Sequence, residues 1–277
     1  MKKIGIALHP LNIRAPQITE ELISILRSQQ IEHWTCSAWD AEKLHSLLGN
    51  TDLVLTVGGD GTILRVAQIL AGRPIPITGI NLGKLGFLTE IPPGKPWEKL
   101  FSLLAGKGWI DQRAMLEAKL VQFVGGQQRT TEFCALNDIV VARGSIARII
   151  EVTASIDGTK VATYKADGAL VSSATGSTGY ALAAGGPILN PKSTDLLLMP
   201  ILPHLSLKHP LVLEANNSIC LQLSTTSPAT LSIDGHISIE LNDGDSITIT
   251  GSNKKTRFLR IDPPEHFYAS LNNKLRG

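Results

Sequence analysis

Cysteine is scarce in this 277-residue sequence. Cys36, Cys134 and Cys220 stand far apart, are odd in number and form no C-x-x-C pair. That excludes a zinc knuckle and a disulfide framework and fits a reducing, cytoplasmic compartment. Charge of one sign is lacking too. The formal net charge is +2, and the nearest thing to a basic run is Lys254-Lys255, which reads as a solvated turn rather than a nucleic-acid arm. Long apolar runs are missing. Leu196–Leu202 is broken by Pro200 and falls far short of the ~20 residues that span a bilayer. The start, Met1–Leu8, reads as a short strand that stops at His9-Pro10, without the apolar stretch or cleavage site of a signal peptide. A soluble chain that binds neither nucleic acid nor membrane is expected. Internal repeats, low-complexity tracts and long linkers are absent as well.

What is there points to real cores. A hydrophobic content of 43% beside 18% charged residues argues against disorder. At about 100–200 residues per domain, the length predicts two domains or one large one. Residues 1–112 alternate strand and helix patterns: a strand at Ile4–Leu8, an amphipathic helix at Thr19–Ser28, a short helix at Ala41–Leu48, a doubly covered strand at Leu53–Val57, a helix at Thr62–Ala71 and a strand at Ile75–Ile80. Such alternation predicts an α/β N-terminal domain with a largely parallel sheet. From Met115 the pattern changes. β-branched runs are separated by the hairpin signals Gly125-Gly126, Asp157-Gly158, Asp234-Gly235 and Asn242-Asp243-Gly244, which predicts a mostly antiparallel, sandwich-like β domain. The expected division is 1–112, joined by the C-terminal segment 262–277 with its helix at Glu265–Leu275, and 113–261.

Three places carry chemistry. Gly58-Gly59-Asp60-Gly61-Thr62 lies between the buried strand and the following helix. Glycines there let backbone approach a ligand and allow positive φ. The helix N-terminus favours phosphate, and Asp60 reads as a lone carboxylate at the carboxyl end of a strand, where open α/β sheets bind ligands. The alternative is a plain Asp-Gly turn, but such turns usually join two strands. Neither the Rossmann G-x-G-x-x-G fingerprint nor a Walker A sequence is present. The second place is Asp167-Gly168 followed by Thr175-Gly176-Ser177-Thr178-Gly179-Tyr180. These small residues cannot build a core, and their hydroxyls and bare amides suit a polyphosphate channel; the alternative is a flexible loop. A short helix at Tyr180–Ala184, ended by Gly185-Gly186-Pro187, follows. The third is Asn137-Asp138 inside an apolar run, costly if buried without partners: either a bulge or a ligand contact.

Taken in order, these motifs, with Asn81-Leu82-Gly83-Lys84-Leu85-Gly86-Phe87-Leu88, Leu136-Asn137-Asp138 and Ala184-Gly185-Gly186-Pro187, resemble the NAD kinases over about residues 53–236. Gly-Gly-Asp-Gly alone is shared with diacylglycerol and sphingosine kinases and with phosphofructokinases; the segment from Asp167 to Pro187 is far more specific. The resemblance implies ATP-dependent phosphorylation of the adenosine ribose 2′-hydroxyl of NAD. ATP and NAD would be the substrates, Mg²⁺ or another divalent metal would accompany ATP, and the chain would form a homo-oligomer, a dimer or tetramer. Asp60 would be the catalytic carboxylate facing the 2′-hydroxyl, with Gly61 beside it. Asn137 and Asp138 would hold the adenine and ribose of NAD. Arg148, Lys165 and Asp167 occupy family contact positions, Thr178, Gly179, Tyr180, Ala181, Leu182 and Ala183 would line the NAD pocket, and Arg65 would reach it. Departures are Asp138 for a frequent Glu, Ala174 for Pro, Gly179 for Ala, and His236 where a Gln commonly contacts the cofactor. Pro203–Pro210 keeps the family's Pro-His but not its Arg, and His204 reads as structural.

Phosphoryl transfer passes through a loose transition state, so positioning and charge stabilisation dominate. A carboxylate that orients the hydroxyl and accepts its proton late contributes roughly 10²–10⁴-fold. No dedicated metal cage is visible, in keeping with Mg²⁺ carried on substrate phosphates. Two rival readings are a lipid kinase of the diacylglycerol type, which leaves Thr175–Pro187 unexplained, and a non-catalytic dinucleotide-binding regulator.

Overall fold

Burial from helices on both sides accounts for the apolar strands of the first half. β1 (Lys3–Leu8), β3 (Leu53–Gly58) and β4 (Ile77–Asn81) are buried over nearly all their length. With β2 (Glu32–Ser37) they form a parallel sheet in the order β2-β1-β3-β4, and Phe258 near the end of β16 (Ser246–Arg260) pairs in parallel with Ile77 of β4. The crossovers are α1 (Ala15–Ser28), α2 (Ala41–Leu47) and α3 (Asp60–Ile69). α1 buries Ala15, Thr19, Leu22 and Leu26, one stripe at helical spacing, in a core with Ile4, Ile6 and Leu55. α4 (Trp97–Leu104) adds Leu100 and Leu103 to that core, and α6 (His266–Leu275) follows β16. The strand order reverses between β1 and β3, a topological switch point, and ligands of open α/β sheets bind at the carboxyl ends of strands there.

The computed structural model describes every residue except 84–85, 93, 95–96, 145–147, 205–207 and 276–277, and the side chain of Asn273. Lys84 and Leu85 of the Asn81–Leu88 motif, and Leu205, Ser206 and Leu207 of the Pro203–Pro210 segment, therefore lie outside the described residues. The chain divides into two compact units, Met1–Gln112 with Thr256–Gly277, and Arg113–Lys255.

The second unit is a sandwich of two sheets. In one, β9 (Thr159–Ala166), β8 (Ile150–Ile156), β13 (Ile219–Ser224) and the start of β16 are successive antiparallel neighbours, while β5 (Trp109–Val124) pairs with β16 and with β6 (Gln127–Ala135). The other runs β12 (Leu211–Leu213), β11 (Leu196–Ile201), β10 (Gly168–Ser173), β7 (Asp138–Arg143), β14 (Ala229–Ile233), β15 (Ile237–Leu241), all antiparallel. Leu116, Leu120, Val152 and Leu221 from the first meet Ile139, Val141, Val171 and Leu231 from the second in one core. The other face of the second sheet carries Val140, Leu170, Leu197 and Met199, packed with Ala181 of α5 (Tyr180–Ala183).

Element ends differ from the sequence reading for local reasons. α1 begins four residues early because Pro16 is accepted in a helix's first turn. α3 begins at Asp60, not Thr62: Gly59 is the extended cap residue, so Asp60 and Gly61 form the first turn of the helix rather than a loop before it.

Candidate active site

In the first unit, Gly58 passes the chain from β3 towards α3. A Cβ on Gly58 would lie 2.2 Å from Thr62 Oγ1 and 3.2 Å from His9 Cβ. Gly58, Gly59 and Gly61 all avoid the left-handed region, so the positive φ that glycine permits is not used here; the glycine at 58 is required by close packing. The lone carboxylate read at the end of β3 is held by backbone amides. Asp60 Oδ2 accepts the Phe87 N–H at 2.8 Å, and Oδ1 accepts those of Leu88 at 3.1 Å and Thr89 at 3.3 Å. Three consecutive amides thus hold it, and the α3 N-terminus favours its charge. The loop can come this close only because residue 86 is glycine: a Cβ there would meet Asp60 Oδ1 at 2.2 Å. A carboxylate has about four lone-pair sites, so half-buried Asp60 keeps acceptor capacity for one more donor.

The second unit repeats the device. Asp234, in the β14–β15 turn at φ 50° beside Gly235 at φ 67°, directs its carboxylate inward. Oδ2 accepts the Leu136 N–H at 2.8 Å, and Oδ1 accepts those of Asn137 at 2.7 Å and Asp138 at 3.1 Å. Asn137-Asp138 is therefore not a bulge, and its backbone amides are satisfied, because Asp234 takes them at the entry to β7. The Asn137 carbonyl accepts the Ser173 N–H at 2.8 Å and the Ser172 hydroxyl at 3.2 Å. The turn after β10 is pressed against this step: a Cβ on Gly176 would lie 2.2 Å from Asn137 O. Burial pushes Asp234 up to about 6 despite the three amides that pull the other way, and burial plus the nearby Asp234 charge pushes Asp138 up to about 7. Asn137 Oδ1 is buried without a hydrogen-bond partner.

Family profiles match both halves: the ATP-NAD kinase N-terminal domain over residues 12–107 and the ATP-NAD kinase C-terminal domain over residues 136–261. The NAD kinase of Dehalococcoides mccartyi (strain CBDB1) is 49% identical over 276 residues, covering 100% of this chain and 96% of its own length.

The chain belongs to the NAD kinase family.

The NAD kinase of Chloroflexus aurantiacus (strain ATCC 29366 / DSM 635 / J-10-fl) is 34% identical over 100% of this chain and 99% of its own. An Archaeoglobus fulgidus NAD kinase, solved in complex with ATP, superposes with a TM-score of 0.80 at 28% identity, over 99% of this chain and 98% of its own. Yeast NADH kinase, solved with NADH, shares the fold at a TM-score of 0.85 and 23% identity, over 100% of this chain and 88% of its own. As an NAD kinase the chain catalyses ATP-dependent phosphorylation of the adenosine ribose 2′-hydroxyl of NAD.

The family positions fall into separate groups. Gly61 is exposed, with open space beside it. The guanidinium of Arg65 lies 4.3 Å over the Trp39 ring, which packs on His9 at 4.5 Å; burial there lowers the Arg65 pKa. Gly179 adjoins the Asn137–Asp138 step, a Cβ on it lying 3.4 Å from Asn137 Nδ2 and 3.9 Å from Asp138 Oδ2. His236, in the Asp234 turn, has Nδ1 3.2 Å from the Asp234 carbonyl. Tyr180 is exposed and Leu182 half-exposed, but the Ala181 side chain is buried in a core, so that position can offer a ligand only backbone.

Of the hydroxyls expected to line a channel, those of Ser177 and Thr178 bond backbone, while Thr175 Oγ1 is buried without a hydrogen-bond partner. The Ser177 hydroxyl donates to Ala174 O at 2.7 Å and accepts the Leu189 N–H at 3.0 Å, Thr178 Oγ1 donates to Thr175 O at 3.2 Å, and Ser173 Oγ accepts the Gly176 N–H at 3.2 Å. These groups shape the turn. Arg148, Lys165 and Asp167 gather elsewhere. Asp167 pairs with Arg143 Nε at 2.9 Å, Lys165 with Glu151 at 3.0 Å, and exposed Arg148 precedes β8. Asp167 is opposite Arg143 and Asn137 opposite Ser173, at the two ends of the β7–β10 ladder. Six residues at about 3.4 Å each separate them by roughly 20 Å.

Sequence reasoning missed Asp234, read only as a turn residue. Its signal was faint: an Asp-Gly hairpin turn gives no sign that its carboxylate points inward.

Proposed function

We propose that Asp60 orients the 2′-hydroxyl of NAD for attack on the terminal phosphate of ATP and takes its proton late in the transfer. The observation that carries this reading is the grip of the Phe87, Leu88 and Thr89 amides on Asp60 at the carboxyl end of β3. A carboxylate fixed in direction costs no reorganisation when the hydroxyl arrives. Asn137 and Asp138 hold the adenosine: the unpartnered Asn137 Oδ1 suits the exocyclic amino group of adenine, and Asp138 suits a ribose hydroxyl. Gly179, Tyr180 and the backbone at Ala181 line the same place.

A divalent cation enters with ATP. Mg²⁺ is commonly carried largely on substrate phosphates; among the described residues no cluster of three or more His, Cys, Asp or Glu offers a dedicated cage. When bound, the ion neutralises charge on the transferring phosphate. The roughly 20 Å between Asn137 and Asp167 favours a homo-oligomer in which a second copy supplies Arg148, Lys165 and Asp167. Cytoplasmic residence is proposed from three cysteines that form no disulfide; among the described residues no helix is long and apolar enough to cross a membrane.

The test is Asp60→Asn, assayed by NADP formation from ATP, Mg²⁺ and NAD. The expected result is a kcat lower by about 10²–10⁴-fold with an intact fold; a kcat within a few-fold of the parent would remove Asp60 from the reaction.

A further inference from the structure

The loop that grips Asp60 is held from behind by a buried ion cluster. Glu90, close after the three amides, is 8% exposed, Arg260 6% and Asp111 3%. Glu90 Oε1 accepts the N–H groups of Ile261 and Asp262, both at 2.8 Å, and Oε2 lies 3.2 Å from Arg260 Nη1. That same Nη1 donates to the Leu88 carbonyl at 2.7 Å, while Arg260 Nε lies 3.4 Å from Asp111 Oδ2. Leu88 is also the residue whose N–H reaches Asp60 Oδ1 at 3.1 Å. One short segment is thus bonded to Arg260 through its carbonyl and to Asp60 through its amide.

Stability is a poor explanation for this cluster. A buried ion pair is often no better than apolar residues of the same volume. This one also leaves Arg260 Nη2 buried with no hydrogen-bond partner, which costs further. What the cluster does supply is direction. The guanidinium fork aligns Leu88 O, Glu90 and Asp111 at once, in a geometry that an ammonium cannot copy.

We propose that Glu90 and Arg260 are positioning residues for phosphoryl transfer, fixing the Phe87–Thr89 amides and through them the direction of the Asp60 carboxylate. This rests on the reading of Asp60 as the group that orients the acceptor hydroxyl. Neither residue touches substrate, so their loss lowers kcat and leaves the apparent affinities nearly alone.

The experiment is a double-mutant cycle on the full-length chain, read by NADP formation at saturating ATP and NAD, with KM for both and thermal unfolding measured alongside. Glu90→Gln replaces an acceptor facing Arg260 with an amide. Arg260→Lys keeps the buried charge but loses the fork, and it carries the cycle if the first variant does not fold. Either is expected to lower kcat by about 10–100-fold with KM values within about threefold. In an Asp60→Asn background the same change is expected to cost less than about threefold, because its effect acts through the missing carboxylate. A kcat close to the parent's, or an equal loss in both backgrounds, overturns the proposal; the second result is what a merely structural role gives. Asp60→Asn alone judges the underlying reading, so its failure is separable.

Discussion

Replacing Asp234 tests whether one buried carboxylate shapes the Asn137–Asp138 step of the second unit. Asp234→Ala removes the acceptor for the Leu136, Asn137 and Asp138 amides at once. Those amides lie at the entry to β7, beside the turn after β10, and water reaches them poorly. Each unsatisfied buried amide costs about 1–3 kcal/mol, or about 3–9 kcal/mol if the three add. Part of this is offset, because the variant no longer buries a carboxylate whose pKa burial has pushed up to about 6. A net loss of about 3–5 kcal/mol is expected, a large share of the ~5–15 kcal/mol that holds a typical domain together. Asp234→Asn keeps one carbonyl oxygen for Asn137 and Asp138 but turns an N–H towards that of Leu136, so about 1–2 kcal/mol is expected. Urea unfolding at pH 7.5 measures both, and the KM for NAD should rise in the milder variant as the Asn137–Asp138 step loosens. If Asp234→Ala unfolds within 1 kcal/mol of the parent, the three-amide grip is not what holds the step, and the reasoning fails.

Asp138 should make stability fall with pH. Its folded pKa is raised to about 7 by burial and then by Asp234, so the folded chain keeps a proton that the unfolded chain releases from about pH 4 upward. The stabilisation is complete below about pH 4 and is lost as pH rises through about 7. Asp138→Asn should remove this slope and gain on the order of 2–4 kcal/mol over the parent above pH 7; parallel pH profiles in urea unfolding would refute it. Gly176→Ala places a Cβ 2.2 Å from Asn137 O and 2.5 Å from Ser172 Oγ, so a loss of about 2–3 kcal/mol is expected. Gly179→Ala, which restores the residue usual in the family, meets its nearest neighbours at 3.3 and 3.4 Å and should stay within about 1 kcal/mol of the parent. Thermal unfolding of the pair separates them, and equal midpoints would show that the turn after β10 yields.

Local chemistry was legible where it is local. The run Leu53–Val57 announced a strand covered on both faces, and the Asp-Gly pairs announced hairpins, because pattern and turn chemistry act over a few residues. The motif order from Gly58 to Pro187 announced the family. Side-chain direction was not legible. Asp60 and Asp234 each stand beside a glycine, yet nothing near either shows that its carboxylate would collect three amides, 27–29 residues away for Asp60 and 96–98 for Asp234. Glu90 and Arg260 meet across 170 residues, and only their places beside apolar stretches hinted at burial. The roles of the Ser177 and Thr178 hydroxyls were not legible because a small polar residue serves a ligand or its own backbone equally well, and here they bond the backbone.

The most direct measurement is a crystal structure of this chain with NAD bound, read for the distance from the Asp60 carboxylate to the adenosine 2′-oxygen. Contact at about 2.6–3.2 Å, with the Phe87, Leu88 and Thr89 amides still on the carboxylate, is the expected result. A 2′-oxygen well outside hydrogen-bond range, facing another side chain, would contradict the account.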